Sequence, residues 1–232
     1  MKIIFECILY VFVIINLVSP LAFAKTDKEV SSQKISSEKI STSSDAAARS
    51  LVALFKQLNS LQTSFEQITL DAGGRNLQMF TGKLLLQKPL NFYYETDPPH
   101  NQIIALKQNE VWLYDKDLEQ VVVQPFDQQF SQTPIMLIVK PVVASLQKHF
   151  RVKAGKLSEL GQQQFELIPL AKDQLYNKIR FHFSQNHLYE IQLEDNLGQK
   201  TVITFYDDAI YNRPIATKQF QLQLPENVDI LR

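Results

Sequence analysis

The chain has 232 residues, 45% of them apolar and 21% charged, with 24 cations balancing 24 anions. That length supports one sizeable core. The balance excludes both the basic field that nucleic acid requires and an acidic field for a cationic partner. One cysteine, Cys7, excludes a disulfide framework within the chain.

Residues 1–24 read as a secretory signal. Lys2 is the charged start, Cys7 to Val18 a mostly apolar run, and Ala22-Phe23-Ala24 a small-x-small cleavage site. The run is too short for a comfortable membrane span. Cleavage removes one cation (Lys2) and one anion (Glu6), so the mature chain keeps 23 of each. It also removes the only thiol, leaving no acylation site. Residues 25–44, "KTDKEVSSQKISSEKISTSS", hold three apolar residues in twenty. Such a segment buries too little to offset its ordering entropy and is expected to be a disordered tether.

The folded domain is expected over residues 45–232. Leu51, Leu54, Phe55, Leu58 and Leu61 recur at helical spacing, which predicts an amphipathic helix over 45–60. The period then becomes two. Strands are predicted near 63–70, 77–87, 91–96, 101–107, 110–115 and 119–124, then 150–154, 164–169, 178–184, 187–194, 200–206 and 217–223. The turn-forming stretches "DAGGRN", "KQNE", "DKDLE", "SQNH" and "DNLGQ" separate many of them. Short connections imply antiparallel neighbours, hence a mainly β fold curling into a barrel or half-barrel.

Several strands break simple alternation. "GKLLLQKP", "NFYYE" and "EVWLYD" place Leu84 to Leu86, Phe92 to Tyr94 and Val111 to Tyr114 in unbroken apolar runs. Adjacent strand residues point to opposite faces, so both faces are apolar here and each needs a cover. The helix at 45–60 supplies one cover. The other is sought in "TPIMLIVKP", residues 133–141. Thr133 suits a cap, Pro134 the first helical position, and Pro141 a stop. Ile135, Met136, Leu137, Ile138 and Val139 surround this short helix, leaving it no polar back. A second short helix is predicted from Val142 to Lys148. Tyrosine and tryptophan carry polar handles suited to a cavity wall or mouth, and methionine adapts to variable contacts.

Chemistry-bearing patterns are sparse. His182 and His187 flank a predicted hairpin without a third ligand at metal-site spacing. Asp115, Asp117 and Glu119 lack the glycine and spacing of a calcium loop. Adjacent Asp207 and Asp208 diverge, unlike a paired acid and base. No nucleophile elbow or phosphate-binding loop occurs in the sequence. No enzyme activity and no cofactor are expected.

Six segments together resemble the periplasmic outer-membrane lipoprotein carrier family, LolA. They are "SFEQ" (64–67), "TGKLLLQKPLNFYYETDPP" (81–99), "VWLYD" (111–115), "TPIMLI" (133–138), "DNLGQKTVITF" (195–205) and "FQLQLPENVDIL" (220–231). The resemblance implies an open antiparallel β-barrel of about eleven strands, with short lid helices over an apolar cavity. It implies a periplasmic monomer that takes acylated lipoproteins from an inner-membrane ABC transporter to an outer-membrane receptor. Phe92, Tyr94, Trp112, Ile135, Met136 and Ile138 would then line the cavity or lid. Lys88 would be the lid latch, standing where the family usually has an arginine that bonds lid backbone. Lysine keeps the charge but loses the planar fork. Tyr94 stands where a tryptophan is common. A carrier of other lipids and a secreted hydrolase are the alternative readings. The outer-membrane receptor itself would need a lipid-modified cysteine at its mature start, where this chain has Lys25.

Overall fold

A computed structural model describes residues 35–107, 109–126, 133–171 and 174–232, with side chains from Ser43 onward. The predicted signal and the tether up to residue 34 lie outside the described residues. Helix α1 spans Ile35–Gln57. It therefore starts well before Asp45, within the stretch expected to be a tether. Ser44–Arg232 form one compact unit.

Six strands follow α1: β1 (Ser60–Leu70), β2 (Asn76–Gln87), β3 (Asn91–Thr96), β4 (Gln102–Lys107), β5 (Glu110–Asp115) and β6 (Gln120–Pro125). Two short helices, α2 (Pro134–Val139) and α3 (Val143–His149), lead to β7 (Phe150–Ala154), β8 (Gln162–Pro169), β9 (Tyr176–Ser184), β10 (His187–Asp195) and β11 (Lys200–Phe205). The predicted hairpin turn between β9 and β10 has both central residues left-handed, Gln185 at φ 50° and Asn186 at φ 66°. That backbone matches the twist of the strands it joins.

Each group of strands is an antiparallel meander, and β11 pairs with β1 to fuse the two into one sheet. The order runs β6 to β1, then β11 to β7. No ladder joins β7 to β6 among the described residues, so the barrel is open. Two short strands bring the count to thirteen where about eleven were expected. β12 (Ile210–Tyr211) pairs with β1 beside the end of β11. β13 (Asp229–Leu231) lies parallel to β6 and covers its free edge. At the opposite edge, the Val152 amide of β7 donates to the Ser44 hydroxyl of α1 at 3.0 Å.

One predicted strand is absent. Residues 217–223 contain a single turn of 3-10 helix, Thr217–Phe220, followed by unpaired extended chain. Its apolar residues pack onto the sheet face instead of joining a ladder. Ile215 and Phe220 are buried against Leu85, Tyr93, Ile103 and Trp112, with Leu222, Leu224 and Val228 alongside.

Candidate functional site

Register assigns every strand residue to one of two faces, because residues directly opposite in an antiparallel pair share a face. Phe65, Leu61 and Gln67 of β1 lie on the face that α1 packs against, called the inner face. The Phe55 ring of α1 meets Phe181 edge-on at 5.0 Å and Phe183 at 5.9 Å. Those residues trace through Ile191 and Ile203 to Gln67. On the other side of β1, Leu61 stands opposite Leu86, which stands opposite Phe92. Phe92 and Tyr94 thus belong to the inner face, both at 4% exposure. The Tyr94 ring stacks on Phe65 at 4.5 Å, and its hydroxyl donates to Gln67 Oε1 at 3.0 Å. Burial pushes the Tyr94 phenol far above its ordinary range.

Trp112 does not join them. It pairs with Ala105, which pairs with Tyr93, which pairs with Leu85. That row is on the outer face, beneath the segment from Ile215 to Val228. The indole N–H donates to Glu110 at 3.2 Å, with Lys107 Nζ 4.8 Å from the ring centroid. The two apolar faces inferred from "NFYYE" and "EVWLYD" are real. The C-terminal segment covers the outer one, and on the inner face α1 reaches β9 through the Phe55 ring. The sequence places Phe92 and Trp112 in similar runs; only the register separates them.

Helix α2 is buried at Pro134, Met136, Leu137, Ile138 and Val139, and half-buried at Ile135. Thr133 holds the cap position, where its side chain makes no capping bond. The Thr133 carbonyl accepts from Met136 N at 3.0 Å and Leu137 N at 3.3 Å. Pro134 occupies the first helical turn, and the helix ends before Pro141.

Lys88 is half-buried after β2, and its ammonium donates to the backbone carbonyl of Phe55, in the last turn of α1. A cation there also complements the negative end of the helix. Burial lowers the Lys88 pKa from its usual 10.5. The bond shown is with α1, the longest helix among the described residues, and not with the apolar helix α2.

Asp115, Asp117 and Asp208 have structural partners. Asp208 accepts from the Ser64 hydroxyl at 2.6 Å and the Ser64 amide at 3.0 Å, which ties the loop after β11 to β1. Those bonds hold its carboxyl below the usual range. Among the described residues no group of three His, Cys, Asp or Glu side chains is placed to hold a metal ion. No helix among them is long and apolar enough to cross a membrane.

Sequence reasoning did not assign strand aromatics such as Phe65, Phe165, Phe181, Phe183 and Phe205 to the inner face. Their period-two spacing was visible, but which of them share an interior depends on the pairing of β1 with β11. An open antiparallel barrel with an aromatic inner face, and with a short apolar helix between its two meanders, is the class of protein that these features define. Residues 56–223 match the outer membrane lipoprotein carrier protein LolA family. The outer-membrane lipoprotein carrier protein of Pseudomonas aeruginosa is 34% identical over 187 residues, covering 81% of this chain and 88% of the relative. That of Chromohalobacter salexigens is 34% identical over 185 residues, covering 80% and 86%. A LolA superfamily structure from Nitrosomonas europaea aligns with 75% of this chain and 97% of its own at 14% identity, with a TM-score of 0.42. The chain belongs to the LolA family of outer-membrane lipoprotein carriers.

Proposed function

We infer that the protein is a periplasmic lipoprotein carrier that shelters acyl chains against the inner face of its open barrel. The observation that carries this reading is the grouping of Phe92, Tyr94 and Phe65 on one buried face, in a chain of the carrier family. The donor would be an inner-membrane ABC transporter and the acceptor an outer-membrane receptor. The protein itself makes and breaks no covalent bond in this reading.

The physical need is large. An acyl chain of about sixteen carbons resists release into water by roughly 12 kcal/mol, taking about 0.8 kcal/mol per methylene. Ile135, Met136 and Ile138 of α2 would exchange contacts with the protein for contacts with hydrocarbon. The two sets are chemically alike, so the empty and loaded states differ little in free energy and the carrier needs no nucleotide of its own. Lys88 would steady the empty state by tying the strand side of the barrel to α1. Trp112 would keep the C-terminal segment seated on the outer face, away from cargo.

Ile135→Glu and Phe92→Glu test this. Both variants, purified from a native periplasm and shown to fold, are expected to lose co-purifying lipoprotein. Full retention of cargo by both would overturn the assignment.

A further inference from the structure

The inner face of β1 is not uniformly apolar. Thr63, Gln67 and Thr69 are buried along it together with Leu61 and Phe65. The threonines have partners: the Thr63 hydroxyl donates to the Ser64 carbonyl at 2.7 Å, and Thr69 and Thr201 share a contact at 3.4 Å. Gln67 differs. It is 2% exposed, opposite Phe80 on β2 and Ile203 on β11. Its Oε1 accepts the Tyr94 hydroxyl, while its Nε2 has no hydrogen-bond partner among the described residues.

That nitrogen is not sealed. The described side-chain atom that is both sealed and unpartnered is His182 Nε2, on the outer face. Gln67 Nε2 therefore touches open space, although the residue as a whole is buried. Tyr94 holds the amide oxygen, which leaves the two N–H groups without a partner on the face that also carries Phe65 and Tyr94. A buried donor of this kind is matched by a group that accepts a hydrogen bond and offers no proton. A carbonyl oxygen meets that description, and hydrocarbon does not.

We propose that Gln67, oriented by Tyr94, is a subsite for the ester carbonyl at the head of a bound acyl chain. The proposal rests on the carrier reading and adds polarity to it. The wall would fix how deep a chain slides by recognising where its hydrocarbon ends. Tyr94 is then a positioning residue whose hydroxyl holds the amide in place.

The test compares two synthetic diacylglyceryl-cysteine peptides with identical chains, one ester-linked and one ether-linked, in a binding assay on the purified protein. The protein is expected to bind the ester form about fivefold more tightly, which is about 1 kcal/mol for one neutral hydrogen bond. Gln67→Leu is expected to bind both peptides equally, with its affinity for the ether form unchanged. Tyr94→Phe should narrow the preference. Equal binding of the two peptides by the unaltered protein would overturn the subsite and leave the carrier reading standing. Equal weakening of both peptides by Gln67→Leu would also overturn it, because the residue would then only support the wall. Binding of neither peptide would remove the carrier reading, and the subsite with it. If Gln67→Leu does not fold, the comparison on the unaltered protein decides alone.

Discussion

Phe92 and Trp112 offer a direct test of which face takes cargo. Both are buried aromatics, at 4% and 8% exposure, so truncation to alanine should cost each variant about 3–5 kcal/mol of stability. For a unit of this size each kcal/mol moves the midpoint by about 2–4 °C, so both unliganded Tm values should fall by about 6–20 °C. Stability alone does not separate the faces; the response to ligand does. A diacyl lipopeptide at a hundred times its Kd stabilises the folded state by about 2.7 kcal/mol, raising Tm by about 5–11 °C. Trp112→Ala, on the outer face, should keep that increment in full. Phe92→Ala removes inner-face contact with the chains. A tenfold loss of affinity, about 1.4 kcal/mol, lies just below the range for burying one phenylalanine. At the same lipopeptide concentration the increment should then fall to about 1.4 kcal/mol, or about 3–6 °C. The assay is thermal unfolding followed by circular dichroism, with and without lipopeptide. Equal increments in the two variants, or a loss confined to Trp112→Ala, would refute the assignment of the faces.

Three further outcomes are expected. Lys88→Arg supplies a planar fork in place of one ammonium at the Phe55 carbonyl, so amide exchange at the end of α1 should slow; unchanged exchange would remove the latch. Gly82→Ala would put a Cβ 2.0 Å from the Glu95 carbonyl oxygen and 2.9 Å from the Phe65 ring. Backbone cannot yield as a side chain does, so the loss should reach or exceed the ~1–3 kcal/mol typical of overpacking, read by denaturant unfolding. Burial alone would raise the Glu95 pKa, but bonds from Lys116, Lys83 and Tyr93 outweigh it and hold the carboxyl below its usual 4.5. A depressed carboxylate gives stability that is complete above the unfolded pKa and is lost as pH falls through the folded one. Acid titration of unfolding should therefore show a fall below about pH 4.5 that Glu95→Gln reduces.

The strand pattern was legible because period-two alternation and turn residues are local. The eleven long strands begin and end within a few residues of the expected positions. Three features were not legible, each because a distant part of the chain decides it. The segment after Ala216 has strand-like apolar spacing, yet it meets the sheet face-on, so its side chains pack while its backbone stays unpaired. Trp112 and Phe92 sit in runs where every residue is apolar, and such runs carry no sign of which parity faces inward. That depends on the pairing of β3, β4 and β5. Helix α1 extends back to Ile35 through a polar stretch that would not nucleate a helix unaided. Adding residues to an existing helix costs far less than starting one, and the apolar turns from Ala47 to Phe55 supply the start. The candidate site was legible in kind. Gln67 was visible as part of "SFEQ", but its bond with Tyr94 depends on the alignment of β1, β2 and β3.

The short parallel strand β13 changes what the molecule offers to its own copies. Without Asp229–Leu231, β6 would present an unsatisfied row of peptide groups along the rim of an open sheet. Such a rim invites another polypeptide to add itself, and head-to-tail additions of that sort grow into polymers. By pairing with β6, β13 withholds that edge from such additions.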